Sequence, residues 1–250
     1  MYTLLSTIEN VRNLGKEKVN KPTVQILILS MIAGASIAFG YMANFKILDE
    51  MQNGLGFVLG ASVFPIGLLI VLMAGGELLT GNMAVVATAY FHKDVKASEL
   101  IKNWSLVFLG NLLGSVLVAF VFVLYLETIN PNSVTLQNAI LSKVNPTSMQ
   151  MLISGIGCNI FVGISVWMYN GAKDGFLKFI VIWFPVMVFV ILGFQHVVAN
   201  MFILTIGLAQ TKITIFQFIN NMVFVFIGNA IGGGIFVGFI YSLAGGSLKD

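Results

Sequence analysis

Long apolar runs make up most of the chain, and short polar segments separate them. A helix needs about 20 apolar residues to cross the hydrocarbon core of a bilayer. Runs of at least that length lie at 24–45, 55–90, 103–126, 148–169, 176–209 and 215–243. The pattern therefore predicts an all-α integral membrane protein with six transmembrane helices. Composition supports this prediction, because only 9% of the residues are charged, against about 25% in soluble domains.

The second and fifth apolar runs are too long for one ordinary crossing. A continuous helix of about 35 residues would exceed about 50 Å, whereas the hydrocarbon core is about 30 Å thick. Each run holds a polar interruption, GGELLTGNM at 75–83 and GFQHVVANM at 193–201. We expect both helices to break there. Asparagine is a favoured N-cap residue, so Asn82 and Asn200 are predicted to cap the new helices, with Thr80 as an alternative in the first.

The chain contains a repeat at an offset of 118 residues. At this offset the two interruptions align, and FLGNLLG at 108–114 aligns with FIGNAIG at 226–232. The first and fourth runs match more weakly, with Gly34 against Gly157. A repeat of three spans crosses the membrane an odd number of times, so the second copy is inverted relative to the first. Inverted repeats with broken helices are typical of transporters, whose sites lie near the bilayer midplane.

Basic residues predict that both termini are cytoplasmic, in agreement with the positive-inside rule. With that orientation only Lys46, Lys143 and Lys212 lie outside, and ten basic residues lie inside. The inner residues are Arg12, Lys16, Lys18, Lys21, Lys93, Lys96, Lys102, Lys173, Lys178 and Lys249. The first twenty residues lack the apolar core and cleavage site of a secretory signal, so we expect no cleaved leader.

The predicted organisation has four parts. Residues 1–22 form a cytoplasmic segment in which apolar residues recur at helical spacing from Leu4 to Leu14. This spacing favours an amphipathic helix at the membrane surface; a frayed basic tail is the alternative. Residues 23–127 form the first repeat, 128–147 an extracytoplasmic loop, and 148–250 the second repeat with a short cytoplasmic tail.

His196 is the main candidate for chemistry, because it is one of only two histidines and lies in the second interruption. An ionisable group at membrane depth is expensive and is a functional candidate. Two helix N-termini at the breaks would favour an anion beside it, and the imidazole would donate a hydrogen bond or lend a proton. A structural hydrogen-bond network is the competing explanation. Glu77, in the first interruption, is expected to cap or to pair within the helix bundle.

Other side chains limit the alternatives. Lys143 is the only basic residue of the outer loop, where it either draws in anions or is simply solvated. Cys158 lies in an apolar run and is predicted to be a packing residue. An intramembrane enzyme would use Glu77, Thr80 and His196 as acid, nucleophile and base. The sequence has no dense polar cluster and no metal-ligand spacing around them, so we predict no catalytic residues, no cofactor, no metal and no nucleic-acid partner.

Four motifs resemble the formate/nitrite transporter family of pentameric anion channels. They are FPIGLLIVLMAGGELLTGN at 64–82, SKVNPTSMQMLISGIGCNIFVGISVWM at 142–168, GFQHVVANMF at 193–202 and IGNAIGGG at 227–234. With the basic N-terminal segment, the resemblance covers essentially the whole chain. It implies an aquaporin-like fold, a homopentamer in the cell membrane, and a separate pore in each protomer.

The resemblance also implies roles for individual residues. His196 resembles the central pore histidine, and Thr80 and Asn229 resemble residues that face it in the same chamber. Lys143 and Asn159 match the outer lysine and its partner on the fourth span, which attract and orient the incoming anion.

Further implied roles concern the width of the pore and its gating. Phe64, Leu68 and Phe189 match apolar constrictions, and Lys16 belongs to a segment that is a candidate to gate the inner mouth. The substrate would cross either as the anion or as the neutral acid, after the anion has taken up a proton at His196.

One departure from the family bears on the substrate. Formate and nitrite members carry glutamate immediately before the central histidine, where this chain has Gln195. The loss of that charge would alter selectivity, and the chain is most similar to the hydrosulfide-channel branch. We therefore expect hydrosulfide as the main substrate, with formate and nitrite also carried. A proton-coupled formate or nitrite transporter is the alternative.

Overall fold

Helices form all the regular structure of the described chain. The computed structural model describes residues 1–246 and 248, and Lys249 of the predicted tail lies outside them. The helices are α1 (Leu4–Asn20), α2 (Thr23–Glu50), α3 (Gly54–Val63), α4 (Ile66–Ala74), α5 (Leu79–Phe91), α6 (Ala97–Val118), α7 (Val134–Val144), α8 (Ser148–Gly171), α9 (Gly175–Ile191), α10 (Val197–Ala209), α11 (Ile215–Ala230) and α12 (Ile240–Ala244). The π-helical segments Ala119–Tyr125 and Ile231–Phe239 continue α6 and α11.

Five helical stretches within the described residues are long and apolar enough to cross a bilayer. They are Thr23–Glu50, Gly54–Ala74, Ala97–Tyr125, Ser148–Gly171 and Ile215–Ala244. The fifth apolar run of the sequence does not form one such stretch, because it is divided into the shorter helices α9 and α10. The all-helical membrane class agrees with the prediction.

Both polar interruptions break their helices. α4 ends at Ala74 and α5 begins at Leu79, whereas α9 ends at Ile191 and α10 begins at Val197. Gly75 has φ +97° and Gly193 has φ +70°. Glycine adopts these left-handed conformations without the steric cost that a Cβ would impose. The two aligned glycines therefore let the chain turn out of one helix and into the next.

The new helices begin earlier than the sequence indicated. Asn82, Thr80 and Asn200 lie inside α5 and α10 rather than ahead of them, so the prediction that they cap these helices was wrong. His196 is the N-cap of α10, and its side chain accepts a hydrogen bond from the backbone N–H of Ala199. The physical reason is that other side chains already bind the free backbone N–H groups, so the asparagines are not needed there.

The N-terminal amphipathic helix is formed, but its apolar face packs on protein. Ile8 and Val11 of α1 are only 2% and 1% exposed. They belong to one buried cluster with residues of α5 and α8, including Val85 and Val166. The alternative of a frayed tail was therefore wrong, whereas the position of α1 at the membrane surface stays a prediction. The apolar face of α1 packs against an apolar surface of the same chain.

An ion pair also ties α1 to the turn that follows α5. The Arg12 guanidinium donates from Nε and Nη2 to the two carboxylate oxygens of Asp94, at 2.8 and 3.1 Å. Such two-point bonds orient a guanidinium as well as attract it. The hydrogen bond from Arg12 holds the pKa of Asp94 below its ordinary value. The carboxylate therefore stays charged, and the bond stays formed, at all pH values above the ordinary aspartate range.

The predicted outer loop contains a helix that was not expected. α7 buries Leu136, Ile140, Lys143 and Val144. These positions recur at spacings of three and four residues, which places them on one face of a helix. Ser133 caps the helix by accepting a hydrogen bond from the Leu136 N–H at 3.2 Å. Lys143 is thus held by a folded element.

Glycines bring two pairs of helices into close contact. A Cβ on Gly110 of α6 would meet the carbonyl oxygen of Leu27 on α2, and one on Gly228 of α11 would overlap that of Leu152 on α8. The two glycines are 118 residues apart, and their partners are 125 apart. These contacts relate α2 to α8 at an offset of 125 residues, so the weaker match of Gly34 to Gly157 was misaligned.

We predict that Gly228→Val destabilises the protein by about 1–3 kcal/mol, the usual cost of overpacking. The added methyl groups would force α8 and α11 apart at the carbonyl of Leu152. Thermal unfolding of the detergent-solubilised protein measures the effect. Gly175→Ala is the control, because nothing lies within 4 Å of a Cβ there. Equal melting temperatures for the two variants would contradict the prediction.

Candidate functional site

The two broken helices meet at one buried polar contact. Thr80 is the second residue of α5, and His196 immediately precedes α10. Thr80 Oγ1 lies 2.8 Å from His196 Nε2, although the residues are 116 positions apart. The two residues are 0% and 3% exposed. The contact therefore brings together the starts of both helices inside the protein, and it joins two residues that the sequence analysis singled out.

The hydrogen bonds of His196 fix which ring nitrogen carries the proton. Its Nδ1 accepts from the backbone N–H of Ala199 at 3.1 Å. An accepting Nδ1 has no proton, so in the neutral ring Nε2 carries it and donates to Thr80 Oγ1. A threonine hydroxyl also has a proton of its own to donate. The structure gives no acceptor for it in residues 1–246 and 248. Thr80 therefore offers a donor beside a neutral imidazole.

Two asparagines hold the breaks in the same way. Asn111 Oδ1 accepts from the Leu79 N–H at 3.0 Å, and Asn229 Oδ1 accepts from the Val197 N–H at 2.9 Å. These are the first residues of α5 and α10. The Asn229 amide also donates to the carbonyl oxygens of Gly155 and Gln195. Asn229 is 0% exposed, and these three hydrogen bonds use its side chain to hold the break; its expected place in the central chamber stays a prediction.

Two cavities lie on opposite sides of the Thr80–His196 contact. The α1 cavity has a volume of about 410 Å³. Its lining includes Lys18, Lys21, Leu68, Glu77, Gly81 and Asn82. The α7 cavity has a volume of about 30 Å³. Its lining includes Tyr41, Phe64, Lys143, Phe189, His196 and Asn200. Since Gly81 borders one cavity and His196 the other, the hydrogen bond from Thr80 to His196 separates them.

The apolar residues predicted as constrictions lie in the walls of these cavities. The ring of Phe189 is stacked on His196, with centroids 5.8 Å apart. The ring of Phe64 meets Phe189 edge-on at 5.7 Å. Leu68 borders the α1 cavity instead. All three apolar side chains are at most 3% exposed, so the polar contact has apolar surfaces on both sides.

On the α1 side a carboxylate is held by two lysines of the N-terminal region. Glu77, 1% exposed, accepts from Lys18 Nζ at 2.8 Å and from Lys21 Nζ at 3.0 Å. Asn82 Nδ2 donates to the same carboxylate at 2.7 Å. Glu77 therefore pairs within the bundle, as expected. Lys16, the expected gating residue, is not in the lining of this cavity.

Sequence reasoning missed this cluster of charges. The available signal was Glu77, a single acidic residue within an apolar run. A charge at such a position is expected to pair with a cation. The partners lie 59 and 56 residues away along the chain. Nothing in the sequence distinguishes Lys18 and Lys21 from the other basic residues of the N-terminal segment.

On the α7 side an amide takes the place of that carboxylate. Gln195, aligned with Glu77, accepts through Oε1 from Asn200 at 2.8 Å and from Asn221 at 2.7 Å. Lys143 lines the α7 cavity, and the structure shows no ion pair for it among residues 1–246 and 248. The positive charge there is thus not balanced by a carboxylate.

Asn159 lies at the centre of the protein rather than at an entrance. It is 0% exposed, and its amide donates to the carbonyl oxygens of Thr80 at 3.2 Å and Asn229 at 2.7 Å. Neither hydrogen bond involves Lys143, with which Asn159 was expected to act. Cys158 beside it is buried and free, and the described residues contain no group of three or more His, Cys, Asp or Glu placed to hold a metal ion.

A helical membrane protein with two broken helices meeting at a polar contact between two cavities has the architecture of a channel or transporter. Comparisons identify the family. The family model for formate/nitrite transporters matches residues 5–243. The formate channel BtFdhC of Bacillus thuringiensis is 37% identical over 238 residues, which cover 93% of this chain and 92% of that protein.

Solved structures agree in fold. A structure described as an FNT family ion channel superposes with a TM-score of 0.89 at 25% identity, covering 95% of this chain and 98% of the other. A pentameric formate channel with formate bound superposes with a TM-score of 0.76 at 27% identity, covering 89% and 97%. The chain belongs to the formate/nitrite transporter family.

We predict that Glu77→Gln loosens the attachment of α1. Removing one partner of a buried ion pair costs about 3–5 kcal/mol, because the other charge stays buried. Hydrogen exchange of the α1 amides should become faster than in the unmodified protein. Glu17→Gln is the control: Glu17 also binds Lys21, at 3.1 Å, but its side chain is 65% exposed, so its loss should cost at most about 1 kcal/mol. Equal protection of α1 in both variants would refute the prediction.

Proposed function

We propose that each protomer contains a pore for small monovalent anions, which connects the α1 cavity to the α7 cavity through the Thr80–His196 contact. The observation that carries the proposal is this buried hydrogen bond, at which both broken helices begin. The N-terminus of a helix carries positive partial charge, so two of them favour an anion at the contact. Membership of the formate/nitrite transporter family supports the same function.

The proposed mechanism uses the free donor of Thr80. The anion loses water between the apolar side chains of Phe64, Phe189 and Leu68, where a bare charge is costly. The Thr80 hydroxyl then donates to it, while neutral His196 holds that hydroxyl in place. Lys143, which has no ion pair among the described residues, attracts anions on the α7 side. The roles of Asn229 and Asn159 are to hold the breaks rather than to touch the anion.

We propose hydrosulfide as the main substrate, with formate and nitrite also carried. The neutral Gln195 beside His196 and the small α7 cavity support hydrosulfide, and the name of the Bacillus thuringiensis relative supports formate. A second candidate function is proton-coupled transport of formate or nitrite. It requires His196 to take up a proton on Nδ1, the atom that already accepts from Ala199, and so requires the start of α10 to give up a hydrogen bond.

We further propose the membrane arrangement expected from the sequence. The chain forms a homopentamer in the cell membrane, with both termini cytoplasmic and two inverted repeats of three spans each. The recurrence of equivalent hydrogen bonds 118 residues apart, at Asn111 and Asn229, supports the repeats. The pentameric assembly of the structurally similar formate channel supports the pentamer. α1 is the candidate gate of the inner mouth, through Lys18 and Lys21 rather than Lys16.

We predict fast uptake of hydrosulfide into liposomes that contain the purified protein, slower uptake of formate and nitrite, and little uptake of chloride. Initial rates are measured at two pH values against protein-free liposomes. If formate or nitrite is taken up faster than hydrosulfide, the proposed channel function stands, but hydrosulfide is not its main substrate. A flux that requires an imposed proton gradient would favour the coupled transporter. The absence of flux for all four anions would refute the proposed function.

We predict that Thr80→Val lowers anion flux by at least about tenfold, because a hydrogen bond to a charged group contributes about 1.5–3 kcal/mol. Thr80→Ser keeps the hydroxyl and should retain most of the flux. His196→Phe removes the group that orients Thr80 and should lower flux as well. If flux is independent of pH and unchanged in both Thr80→Val and His196→Phe, the proposed centre is wrong.

A further inference from the structure

α1 and α7 stand at corresponding places along the chain, because each directly precedes three spans. The contacts of the interhelical glycines relate α2 to α8 at an offset of 125 residues. The same offset carries Lys18 of α1 onto Lys143 of α7, and each lysine lies in the last turn of its helix. If the two helices are equivalent, their contacts with the rest of the protein must match as well.

The backbone contacts of the two lysines do match. The last carbonyl groups of a helix have no partner within that helix, so they accept from donors elsewhere. Asn103 Nδ2 donates to the Lys18 carbonyl at 3.2 Å, and Asn221 Nδ2 donates to the Lys143 carbonyl at 2.6 Å. The two asparagines are 118 residues apart, the offset that relates α6 to α11. Equivalent side chains therefore bind the ends of both helices.

The packing of the two helices also corresponds, with the small residue on the opposite partner. A Cβ on Gly15 of α1 would lie 2.7 Å from Cβ of Ala89 on α5. A Cβ on Gly207 of α10 would lie 2.6 Å from Cγ2 of Ile140 on α7. Ile140 follows Gly15 by 125 residues, and Gly207 follows Ala89 by 118. Each contact thus joins the same two positions of the repeat, so α7 is the structural counterpart of α1.

α7 is connected to the second break through Asn221. Besides binding the Lys143 carbonyl, Asn221 Nδ2 donates to Gln195 Oε1 at 2.7 Å, and its Oδ1 accepts from Asn200 at 2.9 Å. Asn221 is 0% exposed, so water does not replace these bonds. Gln195 immediately precedes His196. The end of α7 is therefore two hydrogen bonds away from the residue next to the pore histidine.

α7 differs from α1 in that it is attached without ion pairs. Arg12, Lys18 and Lys21 tie the N-terminal region to carboxylates elsewhere in the protein. None of the ion pairs within residues 1–246 and 248 involves α7. This helix has only 11 residues, and apolar packing with neutral hydrogen bonds holds it. A small change in that packing is therefore enough to shift it.

We propose that Asn221 is a positioning residue, through which the position of α7 sets that of His196. α7 is then the counterpart of the gate proposed for α1, so this inference rests on the proposed function. A shift of the last turn of α7 moves the Lys143 carbonyl, and with it Asn221 and Gln195. The Thr80–His196 hydrogen bond weakens steeply when its donor turns away, so anion flux depends on where α7 lies.

The test displaces α7 from a site ten residues beyond the start of α10. In Gly207→Ala the new methyl group meets Ile140, whose β-branched side chain is confined to one rotamer in a helix, so α7 has to move. We expect uptake of hydrosulfide and formate into liposomes to fall about tenfold, the effect of losing about one hydrogen bond. Uptake should recover in Gly207→Ala/Ile140→Ala, which lacks the colliding group. Ile140→Ala alone is the reference for this double variant.

A second pair of variants tests the route through Asn221. In Asn221→Leu, Gly207→Ala should cause no further loss of uptake, because α7 no longer acts on Gln195. Asn103→Leu is the matched control: it breaks the equivalent bond of α1, so Gly207→Ala should keep its full effect there. Asn221→Ala replaces the leucine variant if that variant does not fold. Independent sites have additive free energies, so an equal loss in both backgrounds overturns the inference.

Hydrogen exchange of the amides at 196–200 separates the inference from the proposed function. Gly207→Ala should make this exchange faster, Ile140→Ala should reverse the change, and Asn221→Leu should make the exchange insensitive to Gly207→Ala. If the unmodified protein conducts no anion, the proposed function fails and the exchange alone decides the inference. Exchange that stays constant in Gly207→Ala overturns it. In a conducting protein, constant uptake in Gly207→Ala, or a loss that Ile140→Ala does not repair, overturns it too.

Discussion

The backbone at the two breaks must find hydrogen-bond partners without help from water, and the rest of the site depends on this constraint. Lipid offers no partners to N–H and C=O groups, so a break is stable only where the protein supplies them. Asn111 and Asn229 do so by binding the first N–H of α5 and of α10. With the breaks held this way, Thr80 and His196 are fixed at hydrogen-bond distance.

Charge is distributed differently on the two sides of this centre. Toward α1, two lysines share one carboxylate, whereas toward α7 a single lysine faces an amide. Because Glu17 also binds Lys21, the charges toward α1 balance, whereas Lys143 leaves a positive charge in excess toward α7. The two sides also differ in rigidity, because Glu77 is bound by three donors and Lys143 has no ion pair among the described residues.

Local patterns predicted the breaks but not what stabilises them. Polar residues within overlong apolar runs indicated where the helices end, and Gly75 and Gly193 do turn the chain there. The start of α5 depends on Asn111, 32 residues from Leu79, and no local pattern gives such a pairing. The apolar residues of α7 recur at helical spacing in the sequence. The polar residues of the same segment nevertheless led to the prediction of a loop. Run length and the polar interruptions located the broken helices, whereas the contacts of Lys18 and Lys21 required the fold.

The attachment of α1 has a mechanical consequence. Glu77 lies in the bend between α4 and α5, three residues before Thr80, and both of its lysines belong to the N-terminal region. Any displacement of that region therefore pulls on the bend itself, and through it on the first turn of α5. A force on the N-terminal region would therefore reach Thr80 through only three residues of backbone after Glu77.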